Sequence, residues 1–289
     1  MTHMEYPPTF KKKELISHLN AGNYVDTHTV LPEGIRRISS ETFQKKRNIR
    51  ELTLPSSVSF IGSRAFFQCS SLKKLSLPNG VREIGIAAFS ECTALEEVKM
   101  PFYLTQIPRE LFNGNRRLSS VIFPPECHTQ TIGYGAFNEC SALTCIELPQ
   151  HVKLIQDRAF YRCKELQTVH FPPNLKHIGE YAFYFCGIQE LRLPNTVEHL
   201  GESAFFKCKH LIDVELPASV KHIGKWAFHG CNRLKSLTIR HEPEYIGEWI
   251  INRSATIRCY EGSKTDQYCQ ENNLNTEYLT DKPAVSIWK

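Results

Sequence analysis

Residues 55–77 read PSSVSFIGSRAFFQCSSLKKLSL, and the string recurs along the chain with local edits. Its fixed positions, Pro55, Val58, Ile61, Gly62, Ala65, Phe66, Cys69, Leu72, Leu75 and Leu77, define the unit P-x-x-V-x-x-I-G-x-x-A-F-x-x-C-x-x-L-x-x-L-x-L. The leading prolines, Pro32, Pro55, Pro78, Pro101, Pro124, Pro149, Pro172, Pro194 and Pro217, return every 23 residues, once stretched to 25 and once shortened to 22. A constant period of this kind marks an array of stacked units. One unit cannot hide its own apolar face, so copies in a row must build a shared core.

Local chemistry assigns each part of the unit a role. After the anchor Leu72, Leu75 and Leu77 alternate with polar residues, the pattern of a short strand with one buried face. The following proline closes that strand, because its ring nitrogen has no hydrogen to give to a ladder. V-x-x-I-G reads as a second short extended segment, closed by a glycine free to take positive φ. A-F-x-x-C is expected to form a single helical or 3₁₀ turn that places its phenylalanine between layers. Nine units keep that ring: Phe43, Phe66, Phe89, Phe112, Phe137, Phe160, Phe183, Phe205 and Phe228.

These units resemble the BspA-like class of leucine-rich repeats, whose units of about 23 residues carry the same I-G-x-x-A-F-x-x-C-x-x-L-x-x-L-x-L-P pattern. The resemblance implies an α/β solenoid, a right-handed superhelix with a parallel β-sheet on the concave face, short strands and single helical or 3₁₀ turns elsewhere. It implies no reaction. Residues 32–259 are read as about ten repeats, the last degenerate, with Ile251 where a phenylalanine is expected. Residues 1–31 are read as an N-terminal cap in which Lys11 to Asn20, with Leu15, Ile16 and Leu19 on one side, forms a short amphipathic helix. Residues 260–289 are read as a C-terminal cap made of a turn, a short helix and an extended piece.

Of the 11 cysteines, Cys69, Cys92, Cys140, Cys163, Cys186, Cys208 and Cys231 share one position of the unit, and Asn115 takes it in another repeat. An interchange of Asn with Cys at a tight turn points to a small side chain that bonds loop backbone. The thiols are therefore expected buried and reduced. No C-x-x-C pair suggests a zinc ribbon or a redox motif. A thiol-rich inventory suits a reducing compartment. The first residues also lack an apolar h-region, so the chain as numbered is expected to be cytoplasmic, or at the cell surface or secreted if a leader has been removed. No stretch is long and apolar enough to insert in a membrane.

Framework positions are consumed by packing, so function is sought at the variable ones. Outward residues of successive strands form columns of alternating sign, with Lys74 beside Glu97 and Arg192 beside Glu215. The net charge of +5 is spread without a basic stripe on this face, which argues against nucleic acid. A protein partner is expected instead, held by a monomer across Lys99, Ile122, Glu147, His170 and Arg192, where the middle of a curved sheet encloses it most. An exported adhesin for host matrix proteins is the alternative that the resemblance suggests.

Two further features carry chemistry. The lengthened repeat inserts a loop with Glu126, Cys127 and His128, and insertions in solenoids often touch partners. An activated thiol there would need a geometry that adjacent residues seldom share. His177, His199 and His222 precede the apolar residue of the second segment in three consecutive repeats. Stacking sets them about 5 Å apart, close enough for a metal or for mutual repulsion in acid. No nucleophile elbow, zinc-protease helix, phosphate loop or dinucleotide fingerprint appears. The expectation is a non-enzymatic chain without a cofactor.

Overall fold

The computed structural model describes residues 14–280. The chain winds as stacked coils, and most coils contribute one strand to each of two faces. On the first face lie His28–Val30, Glu51–Thr53, Lys74–Ser76, Glu97–Lys99 and Ser120–Ile122, all parallel and in register one repeat apart. The second face carries two-residue strands such as Phe60–Ile61, Glu83–Ile84 and His177–Ile178, also parallel. Register pairs like with like, Leu52 with Leu75 and Ile61 with Ile84. The core is accordingly a set of ladders, with their side chains at or near full burial.

The phenylalanines form a spine through that core. All nine rings are fully buried, and neighbours stack at centroid distances such as 5.0 Å for Phe43 on Phe66 and 5.1 Å for Phe160 on Phe183. The file loosens once, between Phe89 and Phe112, where the centroids lie 6.2 Å apart. That coil carries Leu111 and Asn115 where its neighbours have alanine and cysteine.

The A-F-x-x-C segment is neither an α-helical nor a 3₁₀ turn. It is a run of linked turns in which alternate amides leave the chain: Arg64, Phe66 and Gln68 donate to Ile86, Ala88 and Ser90 of the next coil at 2.9, 2.8 and 2.9 Å. The amides between them, Ala65, Phe67 and Cys69, close turns onto residues three earlier. Left-handed backbone at Arg64 and Gln68, with φ of 53° and 59°, produces the alternation. For a residue with a Cβ this costs roughly 1–2 kcal/mol, offset by a ladder that a continuous helix would forfeit.

Glycine after the turn isoleucine has a different reason from the one expected. Gly62, Gly85, Gly179, Gly201 and Gly224 do not take positive φ. A Cβ on Gly224 would instead lie 2.4 Å from the Gly201 carbonyl carbon. Close approach of backbone to backbone excludes the side chain there.

The ends depart from expectation on one side. In place of the helix read over Lys11 to Asn20, Leu15–Ile16 is a strand paired with Arg37–Ile38, and a 3₁₀ turn follows at Ala21–Tyr24. Lys11 to Lys13 lie outside the described residues. Leu15 and Ile16 fit both patterns locally, and the open edge of the first repeat decides for the strand. Ile16 is fully buried while Leu19 is 85% exposed, so no apolar helical face exists. At the other end, a helix Lys264–Asn272 begins on Ser263, whose hydroxyl accepts from the Asp266 amide, and leads into the strand Asn275–Tyr278 on Thr256–Cys259.

Candidate functional site

The strand face is interrupted twice, and both interruptions follow from repeat length. Pairing stops after Ser120–Ile122, ahead of the lengthened repeat, and Cys145–Glu147 pairs only with Thr168–His170. In the shortened repeat, residues 188–193 form no strand, and pairing resumes at Asp213–Leu216. The first interruption bears a depression of about 580 Å³ lined by Ile122, Phe123, Pro125, Glu147, His170 and Phe171. The second bears one of about 540 Å³ lined by Thr168, His170, Phe171, Glu190 and Arg192. His170 and Phe171 belong to both. Ile122 is 42% exposed, an apolar side chain without cover at the rim of the first.

Four of the five residues expected to meet a partner, Ile122, Glu147, His170 and Arg192, thus surround two adjoining depressions. Lys99 lines a separate one of about 670 Å³ with His28, Glu51 and Lys74. Arg192 is not on a strand, and it bonds Glu190 of its own segment at 2.6 Å, not Glu215. Glu215 accepts from Arg240 at 2.9 Å. Losing one residue before the strand lets residues 188–193 bulge out of the ladder, and Arg192 then finds the nearest carboxylate. Exposed pairs of this sort contribute little to stability.

In the inserted loop, Cys127 is 1% exposed, whereas His128 is exposed and packs its ring on Phe102 and Tyr103 at 5.1 and 5.6 Å. The two side chains therefore part, and no thiol–imidazole pair forms. Glu126 faces Gln150 and His151 across the repeat boundary. The shared-position cysteines each donate from sulfur to the carbonyl of the preceding coil's phenylalanine, as Cys69 does to Phe43 at 3.2 Å and Cys163 to Phe137 at 3.1 Å. Asn115 does the same to Phe89 at 3.0 Å, but leaves its Oδ1 buried without a partner. Burial pushes the Cys69 and Cys231 thiols up to about 12, so these sulfurs are backbone caps and poor nucleophiles.

His177, His199 and His222 stack face to face at 4.2 Å each, and Tyr245 closes the row at 4.4 Å. Stacked rings line their nitrogens up along the solenoid; they do not converge on one point. Among the described residues no group of three or more His, Cys, Asp or Glu has the arrangement to hold a metal. Burial, then His177 and His222, hold the His199 imidazole down at about 4, while burial lowers both neighbours. Asp157 opposes the shift, and Lys176 is engaged by Glu198 at 3.3 Å. A free histidine titrates near 6.5. The depressed folded-state value means that unfolding takes up protons, so stability is undiminished above about 6.5 and falls as pH drops from there to about 4. His199→Gln should flatten the decline of the thermal midpoint across that window. Parallel declines in both proteins would exclude the row as its source.

A model described as the BspA type leucine rich repeat region, in 6 copies, matches residues 26–129 and 130–258. The chain belongs to the BspA-type leucine-rich repeat family. Among solved structures it is similar to a leucine-rich repeat protein from Bacteroides ovatus, with a TM-score of 0.66 and 26% identity. That alignment covers 82% of this chain and 63% of the other, so the chain spans less than two thirds of that relative. It is also similar to a leucine-rich repeat protein of T. pallidum, at 28% identity and a TM-score of 0.42 over 73% of this chain and 78% of that one. A leucine-rich cell surface protein from Faecalibacterium prausnitzii aligns at 20% identity and a TM-score of 0.41, covering 88% of each chain. No curated protein matches. No helix among the described residues is long and apolar enough to cross a membrane.

Proposed function

We propose that this BspA-type solenoid is a non-enzymatic binding module that holds a protein partner over the two interruptions of its strand face. The observation that carries the reading is the pair of adjoining depressions sharing His170 and Phe171. Elsewhere small and charged side chains dominate the face and some satisfy one another, such as Ser236 on Asp213 at 2.6 Å and His28 on Glu51 at 2.8 Å. At the interruptions Ile122, Phe123 and Phe171 offer apolar area, with Glu147 and Arg192 at its margin. An apolar centre with a polar rim is the usual anatomy of a protein–protein contact, and a few central side chains carry most of its energy.

Ile122→Glu combined with His170→Ala should weaken partner binding by at least about tenfold, since each removes a central contact. Both side chains are exposed, so the thermal midpoint should stay within a few degrees of the parent. The measurement is affinity capture from the native source, followed by cross-link mapping of the captured protein onto the chain. Equal capture by the variant, or cross-links confined to other faces, would move the contact away from these depressions.

A further inference from the structure

The shortened repeat does more than interrupt the sheet. Its missing residue falls just after Cys186, where Gly187 follows the cysteine. The equivalent residues one coil before and one coil after are Lys164 and Lys209. Gly187 has no room for more: a Cβ would lie 2.6 Å from the Lys164 carbonyl oxygen. With no side chain between them, two lysines stand two coils apart, about 10 Å at the usual strand spacing. Both reach the ring of Phe185, at 5.8 and 5.0 Å from its centroid. Lys207 lies over the neighbouring Phe206 at 5.3 Å.

The ammonium groups are not neutralised. All three lysines are exposed, and among the described residues no carboxylate lies within ion-pair distance of any of them. Arg162 beside them is shared with Glu139 at 3.7 Å, and Glu139 also takes Arg116 at 3.1 Å. Glu165 is the other acid of this edge. A cation over a ring face is held in place by the ring's quadrupole without losing its charge. The edge therefore presents fixed, unpaired positive charges around an aromatic floor.

We propose that this lysine cradle around Phe185 docks an acidic protein segment, whose carboxylates enter between Lys164 and Lys209. Ammonium groups act as point charges that suit single carboxylate oxygens, whereas bidentate capture of phosphate favours guanidinium forks, and the nearby Arg162 is already engaged. The ring faces are also occupied. Tyr184 stacks on Phe206 at 5.2 Å and lysines cover Phe185, so bases of single-stranded nucleic acid would find no free platform. The cradle lies at the starting ends of the strands, near Gln167 and Gln189 of the second depression, whereas Pro125 and Pro173 mark the first depression at their finishing ends. Lys164 and Lys209 line neither depression, so their variants test the cradle separately from the contact proposed above.

The test is fluorescence anisotropy with a short labelled polyglutamate peptide at low salt, using the full chain. Lys164→Glu with Lys209→Glu should weaken binding by at least about tenfold. Lys45→Glu with Lys73→Glu imposes the same change of net charge elsewhere and should leave most of the affinity. Thermal midpoints of both variants should match the parent, because the substituted groups are exposed. Three outcomes would overturn the proposal: no binding by the parent chain, equal losses in the two variants, or displacement of the peptide by heparin or oligo(dT) at lower concentration of charge than by free polyglutamate.

Discussion

Phe160→Ala should lower the free energy of unfolding by about 3–5 kcal/mol, the range for emptying a buried aromatic site. Phe160 has 0% solvent exposure and stacks on Phe137 at 5.2 Å and Phe183 at 5.1 Å. The cavity has little freedom to close. Amides on both sides of the ring are committed to the adjacent coil, with Phe160 donating to Ala182 and Phe137 to Ala159, each at 2.8 Å. In a solenoid each unit touches only its neighbours, so the loss also weakens the coupling between the two halves of the array. Denaturant unfolding followed by circular dichroism should show a lower midpoint and a shallower slope. Phe43→Ala makes the comparison, since Phe43 stacks only on Phe66 within the spine, and it should cost less. A loss below about 1 kcal/mol for Phe160→Ala, within the range of surface substitutions, would mean that the spine is not the core.

The second large effect is expected at a residue that has no side chain. Gly224→Ala should destabilise by at least about 2 kcal/mol, as overpacking does where nothing can yield. The added carbon would meet Gly201 C at 2.4 Å, Glu202 N at 2.5 Å and Gly201 O at 2.6 Å, all of them backbone. No rotamer relieves such a contact, and moving the coil would break the bond from the Gly224 amide to the Leu200 carbonyl at 2.8 Å. Gly22→Ala is the control, because a Cβ there meets nothing within 4 Å. Thermal melts of the two variants should separate clearly, and indistinguishable melts would remove the close-approach argument. Gln156 shows how the column admits a larger residue: its Oε1 accepts from the Tyr134 amide at 2.8 Å, a bond that alanine cannot make.

Most of the framework was legible in the residues. Phenylalanine at every period could only form a file if the units stacked, and Asn115 among the cysteines revealed that the shared position bonds backbone. Ile122 and His170 were found as outward residues of central strands, and they do border the depressions. Other readings failed where two local patterns coincide. Leu15 and Ile16 suit a helix face or a strand, and the edge beside Arg37–Ile38 decided between them. The linked turns are not legible in the sequence because their left-handed residues are Arg64, Gln68, Arg158 and Arg162, side chains that give no hint of positive φ. Arg192 keeps the spacing of an outward strand residue, but the residue missing between Cys186 and Ile188 takes its segment out of the ladder.

By itself, the sequence determined the period, the ladders and the residues that fill them, because burial of a repeated apolar face leaves one way to stack. Tertiary structure alone decided what the two irregular repeats do. A change of one or two residues shifts hydrogen-bond register between neighbouring coils, and that mismatch is settled in three dimensions, opening the strand face at His170 and bringing Lys164 and Lys209 together over Phe185.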